Sequence, residues 1–217
     1  FGGNRVKHIL LIAGLFLLFG GFAAAQSTTV SVSSLPAYVD PTITPVDINF
    51  TLLNAMYDIN TQTMNVNVVL SNDSTYDAND LIILASTNAE GTLCGNPSSF
   101  STAQNCYTNW NSIPTGATDG SKYVIVRATV DGNQSDTGNT TTYLDITAPT
   151  LTIVSFSGPN YNSSGIVTLS ASCTDNSGTC TTAYKRAAAP YLPFTTQQSI
   201  QAGNETILLN ATDTLGH

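Results

Sequence analysis

The chain of 217 residues has only two histidines, His8 and His217, and only six lysines and arginines. With no imidazole between those two positions, a Ser-His-Asp arrangement has no internal group to take and return a proton. A zinc site built on clustered histidines cannot assemble either. Basic residues are as scarce. Outside the N-terminal segment only Lys122, Arg127, Lys185 and Arg186 remain, against 14 acidic residues. Nucleic-acid binding by counterion release needs clustered Lys and Arg, so no nucleic-acid partner is expected. Glutamate occurs only at Glu90 and Glu205, and the spacing of the aspartates suggests no opposed carboxylate pair of the kind a glycosidase uses. The expectation is a protein that is not an enzyme, with no catalytic residues, no cofactor-binding residues and no resident metal. Long helical patterns are also missing, and charged residues make up only 9% of the chain. Solubility therefore falls to Ser, Thr, Asn and Gly.

The length fits two small domains of about 100 residues each. At the N-terminus, Arg5, Lys7 and His8 precede an apolar run over residues 9–22, followed by Ala23, Ala24, Ala25 and then Gln26. A positive end, an apolar centre and small residues before a polar one are the outline of a secretory signal peptide, with cleavage expected before Gln26. The alternative is a retained hydrophobic helix over residues 1–25. As a helix, residues 9–25 reach about 25 Å, short of the roughly 30 Å hydrocarbon core, and Gly14, Gly20 and Gly21 weaken it. A filament subunit could nevertheless bury such a segment among its copies. Contact with a membrane is expected only through this segment. Residues 26–40 read as a polar spacer, although alternation at Val30 and Val32 also suits a short strand.

From residue 41 onward the chain breaks into short β-type segments separated by turns. Residues 145–150 (Asp-Ile-Thr-Ala-Pro-Thr) mark a seam. Apolar runs ending in Ala128-Thr129 and in Ala211-Thr212 precede the seam and the chain end. Pro149-Thr150-Leu151-Thr152 after the seam echoes Pro41-Thr42-Ile43-Thr44. Two similar modules follow, over residues 41–146 and 149–217. In the first, Val46, Ile48 and Phe50 alternate with polar residues, as do Val66, Val68 and Leu70, a strand greasy on one face and wet on the other, as suits an outer sheet. Residues 81–84 form an apolar run expected to be a central strand buried on both faces. Val124, Val126, Ala128 and Val130 give the strand before the seam. Trp110, the only Trp, is expected in the core. In the second module, residues 150–156 repeat the first strand, Val167, Leu169, Ala171 and Cys173 form the next, and Ile207, Leu209 and Ala211 the last. By this register the second module stops one strand early, so the chain is expected to be a piece of something longer or of an assembly that completes it.

The four cysteines pair locally in an exported chain: Cys94 with Cys106, and Cys173 with Cys180 across the Asp175-Asn176-Ser177-Gly178 turn, stapling a hairpin. Closing the loop of about a dozen residues between Cys94 and Cys106 limits the unfolded chain by roughly 3 kcal/mol.

The seam, the Cys173-Thr174-Asp175-Asn176-Ser177-Gly178 turn and the Asn210-Ala211-Thr212-Asp213-Thr214-Leu215-Gly216 ending resemble tandem bacterial-type Ig-like domains of prokaryotic cell-surface proteins, with an archaeal flavour. The resemblance covers the second module well and the first mainly at its ends. It implies an all-β chain: two tandem Ig-like β-sandwiches after an N-terminal hydrophobic segment. The long insertion from Cys94 to Cys106 and the local Cys pairs depart from antibody domains.

Of the ions, calcium best suits the oxygen donors of Asp73, Asp77, Asn79 and Asp80, or of Asp175 with Asn176. The same residues are ordinary turn formers and read first as turns. Seven Asn-x-Ser/Thr acceptors occur, at Asn49, Asn72, Asn133, Asn139, Asn162, Asn204 and Asn210. Of these, Asn72, Asn133, Asn139 and Asn162 fall in expected turns and are the glycosylation candidates. The leading expectation is a non-catalytic, extracellular or cell-surface structural or adhesive protein. Its partners would be other surface proteins, copies of itself or surface glycans. Alternatives are a subunit of an extracellular filament that keeps its N-terminal helix, and a binding appendage of a larger surface enzyme.

Overall fold

Alternating apolar residues dictate the strands of the first module. The computed structural model describes residues 28–55, 57–58, 60–131, 134–157, 166–186, 189–194, 198–201 and 206–217. The expected signal segment and the acceptors Asn133, Asn162 and Asn204 lie outside the described residues. Eight strands run in order: β1 (Thr28–Val32), β2 (Tyr38–Val39), β3 (Val46–Asn54), β4 (Met64–Ser71), β5 (Leu81–Ser86), β6 (Gln104–Trp110), β7 (Gly120–Val130) and β8 (Gln134–Leu144). A one-turn helix, α1 (Ala89–Thr92), sits between β5 and β6. They form a sheet of order β1-β3-β6 and a sheet of order β2-β8-β7-β4-β5.

One core lies between the two sheets. Ile48, Phe50 and Leu52 of β3 face it, with Val66, Val68 and Leu70 of β4 and Val124, Val126 and Ala128 of β7, all buried. Each such side chain contributes roughly 1.5–3 kcal/mol when removed from water. Trp110 closes one end, buried in the same core, with its indole N–H donating to the Ser112 carbonyl at 2.7 Å. On the outer face of the larger sheet, Val69 and Ile125 are buried register partners. There the Tyr76 ring takes the Arg127 guanidinium at 4.7 Å and its hydroxyl accepts from Asn67 at 3.0 Å.

Three expectations change here. Residues 28–32 and 38–39 are strands and not spacer: β1 pairs antiparallel with β3, and β2 pairs parallel with β8. Val30 and Val39 are buried, so the Thr28-Val30-Val32 alternation outweighs the polar composition. The apolar run 81–84 is the edge strand β5 rather than a central one, and its Ile82 stays 64% exposed. Finally, β7 does not lead directly to the seam. The polar strand β8 follows it and pairs with it along its whole length.

In the second module β9 (Thr150–Ser157), β10 (Ile166–Thr174) and β13 (Gln198–Gln201) form a sheet of order β13-β10-β9. The strands β11 (Cys180–Arg186), β12 (Leu192–Pro193) and β14 (Ile207–Asp213) form another, of order β12-β11-β14. The described core is small: Leu169, Ala171 and Phe194 are buried, with Leu151, Tyr184, Ile207 and Leu209 packed around them. By position, β14 answers to β7, as the shared Ala-Thr endings suggest, and among the described residues it forms the edge where β7 has β8. The other echo is misleading. Pro41-Thr42-Ile43-Thr44 is a turn held by Asp40, whose carbonyl accepts from the Ile43 and Thr44 amides at 3.2 and 3.0 Å. Thr150 instead opens β9. By sheet position β9 matches β1, and β10 matches β3.

Both expected disulfides form, Cys94 to Cys106 and Cys173 to Cys180. The second does not staple a hairpin. Cys173 lies in β10 and Cys180 in β11, strands of different sheets, so this bond ties the two sheets together at their corner.

Candidate functional site

The seam collects the charged groups that the sequence scatters. As the chain leaves β8, the Asp145 amide donates to the Val39 carbonyl at 3.0 Å. The next two residues are held by one carboxylate of the β6–β7 loop. Asp119 accepts the Ile146 amide at 2.7 Å and the Thr147 hydroxyl. The same carboxylate reaches the second module, accepting the Asn176 side-chain amide at 2.6 Å. The Tyr143 hydroxyl of β8 donates to the Asn176 carbonyl at 3.2 Å. The Asp175–Gly178 turn, closed by the Gly178 amide on the Asp175 carbonyl, is thus docked against the end of the first module. Gly178 sits at a φ of 87°, which favours glycine.

Behind these contacts lies an acidic cluster. Asp213, at the end of β14, turns one carboxylate oxygen to the amides of Leu215, Gly216 and His217 at 2.8, 2.7 and 3.1 Å. Its other oxygen is 2.5 Å from Nδ1 of His217. The opposite ring nitrogen, Nε2, is 2.7 Å from the carboxylate of Asp40 in the first module. Asp40 also accepts from the amide and hydroxyl of Thr42 at 2.7 and 2.6 Å. Against the cost of burial, the carboxylates of Asp40 and Asp213 raise the pKa of His217 above its usual range. Burial opposes ionisation of Asp40 and Asp213, yet their hydrogen bonds hold both below the ordinary carboxylate range.

Asp145 is different. It is fully buried, and neither of its carboxylate oxygens has a hydrogen-bond partner. Burial first, and then the carboxylates of Asp175 and Asp213, push its pKa up, with the nearby Ser177 hydroxyl and Thr147 amide offsetting only part of this. Asp175 gives one oxygen to the Ser177 amide at 2.8 Å and to its hydroxyl. The other oxygen is buried without a partner. Donor atoms of Asp145, Asp213 and His217 all lie within 4.8 Å of one another.

Because both nitrogens of His217 face carboxylates, no hydroxyl receives the imidazole as a nucleophile would require. The histidine set aside in the sequence as a chain end is nonetheless central to the cluster. Of the residues considered for calcium, Asp73, Asp77, Asn79 and Asp80 lie in an exposed loop and cap its turns. Asp73 accepts the Thr75 amide at 2.7 Å, Asp77 the Asn79 amide at 2.6 Å, and Asp80 the Asp77 amide at 2.8 Å. The Lys122 ammonium stands beside them, 2.6 Å from the Asn72 side-chain oxygen. Asp175 and Asn176, the other pair, belong to the seam. Asn72 is exposed in its loop, whereas Asn139 is exposed within strand β8 and not in a turn. Asn49 and Asn210 are exposed on β3 and β14.

The sequence reading missed Asp40, Asp119, Asp145, Asp213 and His217 as a group. The available signal was slight, Asp145 opening the seam and Asp213 ending the last strand. No protein-family model matches the chain, and no curated protein matches it. Among the described residues no helix is long and apolar enough to cross a membrane.

Proposed function

We propose that this chain is a non-catalytic, exported cell-surface protein whose two modules are Ig-like β-sandwiches, serving as a stalk, envelope component or adhesive unit. The observation that carries this reading is the end-to-end join: Asp119 and Tyr143 of the first module hold the Asn176 turn of the second by direct hydrogen bonds. A spacer that must transmit position needs such a pinned junction more than it needs a cleft. Strand order supports the Ig-like part. The sheets β1-β3-β6 and β2-β8-β7-β4-β5 follow the A-B-E and G-F-C-C′ arrangement of that fold. In the second module β9, β10 and β13 take the A, B and E places, and β11, β12 and β14 the C, C′ and F places. Disulfides in both modules fit an oxidising compartment. Exposed acceptors at Asn72 and Asn139 would be usable there.

The test is expression of the chain with its own N-terminal segment in a secreting host. The expected product lies outside the cytoplasm, lacks residues 1–25 by intact mass and has no free thiol. A cytoplasmic product with four free thiols overturns the reading. One observation favours a second reading: the outer edge of β14 has no strand partner among the described residues. A strand from a neighbouring copy could complete it in a filament, and negative-stain images of concentrated protein showing only single particles would remove that reading.

A further inference from the structure

Three carboxylates, of Asp40, Asp145 and Asp213, gather about a single imidazole where the modules join, and they do not share it equally. Asp40 and Asp213 take the two nitrogens of His217. Asp145 keeps two buried oxygens without a partner, and Asp175 keeps one. A native fold seldom leaves a buried carboxylate bare, because an unpaired buried charge costs several kcal/mol or forces a proton onto the group. A proton would neutralise one carboxyl but donate one hydrogen bond, leaving other oxygens unmet. One ion beside Asp145 meets both of its oxygens together.

We propose that the seam binds one divalent cation of the calcium class, held by Asp145 and Asp213 and closed on the Asp40 side by His217. The donor set selects the ion. Both imidazole nitrogens are engaged by carboxylates, so the free donors are hard oxygens, which suit calcium and magnesium rather than zinc or copper. Donors on opposite sides of a calcium ion at ~2.4 Å stand about 4.8 Å apart. The carboxylate donors of Asp145 and Asp213 lie within that distance of each other. Magnesium gives up its waters reluctantly, whereas Asp145 is fully buried. The exposed Asp73–Asp80 loop has no comparable feature, since its carboxylates cap their own turns.

The ligands come from both sides of the junction. Asp145 follows the last strand of the first module, whereas Asp213 ends β14 of the second. The ion is therefore a clamp between modules, and release would loosen the join while leaving each core intact. The inference rests on the seam geometry and not on where the protein resides.

Isothermal titration of the full chain with calcium alone, magnesium alone and zinc alone tests it. One calcium per chain is expected, with a Kd of about 0.1–1 mM, the range of extracellular calcium modules. Asp145→Asn should weaken calcium at least tenfold, and Asp77→Asn should leave it unchanged. Asp145→Asn removes a buried charge, so its melting temperature in chelator should be no lower than that of the parent, which separates lost binding from lost fold. Absence of calcium binding by the parent chain overturns the site. Unchanged binding in Asp145→Asn, or lost binding in Asp77→Asn, overturns its placement. Tighter binding of magnesium or zinc than of calcium overturns the ion class.

Discussion

Replacing Asp119 by alanine removes the one side chain that holds the linker and the second module at once. Its carboxylate accepts the Ile146 amide at 2.7 Å, the Thr147 hydroxyl and the Asn176 amide at 2.6 Å. The group is only partly buried, so each bond is taken at about 0.5–1.5 kcal/mol, below the range for fully buried charged bonds. Opening of the linker at Ile146 should then become easier by about 1–2 kcal/mol, which is roughly 5- to 30-fold faster amide exchange there. The assay is hydrogen exchange by NMR, with Val126, buried in the central strand β7, as the internal reference. Asp119→Ala should speed exchange at Ile146 and leave Val126 unchanged, and Asp119→Asn should fall between. An unchanged rate at Ile146 would refute the seam contact. Equal acceleration at Val126 would refute the argument differently, by showing that Asp119 holds the fold of the first module rather than the join.

Other outcomes follow from packing and covalent links. A Cβ added at Gly138 would stand 2.8 Å from the Val30 carbonyl oxygen and 3.1 Å from a Val32 methyl. Gly138→Ala should therefore destabilise the first module by about 1–3 kcal/mol, seen as a lower urea midpoint of Trp110 fluorescence; an unchanged midpoint contradicts the close approach of β1 to β8. Removing the Cys94–Cys106 bond with a double alanine variant should cost roughly 3 kcal/mol in the transition reported by Trp110, and no loss would mean that the disulfide does not constrain the unfolded loop. Burial first, and the Glu90 carboxylate next, push the Tyr57 phenol up to about 12. Because the folded pKa is raised, the stability this group contributes is whole below about pH 10 and lost as pH rises through about 12. Ultraviolet titration should show a tyrosine that ionises late and disappears in Tyr57→Phe; nine tyrosines titrating alike would contradict its burial.

Legibility in the sequence followed side-chain alternation. Val46, Ile48 and Phe50, or Val124, Val126 and Ala128, announce one buried face, and β3 and β7 stand where that pattern puts them. Strand β8 carries Gln, Ser, Asp, Thr and Asn through most of its length, so no apolar period marks it. Its pairing with β7 defines it instead. The run 81–84 is apolar enough for a centre, yet sheet position is a tertiary fact, and its neighbour on one side is solvent. Cys173 and Cys180 are close in sequence, which suggests a hairpin, but the chain changes sheets between them. The acidic cluster was hidden for the same reason. Asp40, Asp145 and the Asp213–His217 pair lie far apart in the chain, and only the joining of two modules brings their donor atoms together.

The central claim is that the seam makes two β modules one body and that an ion at Asp145 and Asp213 completes the join. Residual dipolar couplings, fitted separately for amides of β3, β4 and β7 and of β10, β11 and β14, measure this directly. In calcium both sets should fit one alignment tensor, and in chelator the second set should fit a tensor of reduced magnitude. Two different tensors that are unaffected by calcium would contradict the account.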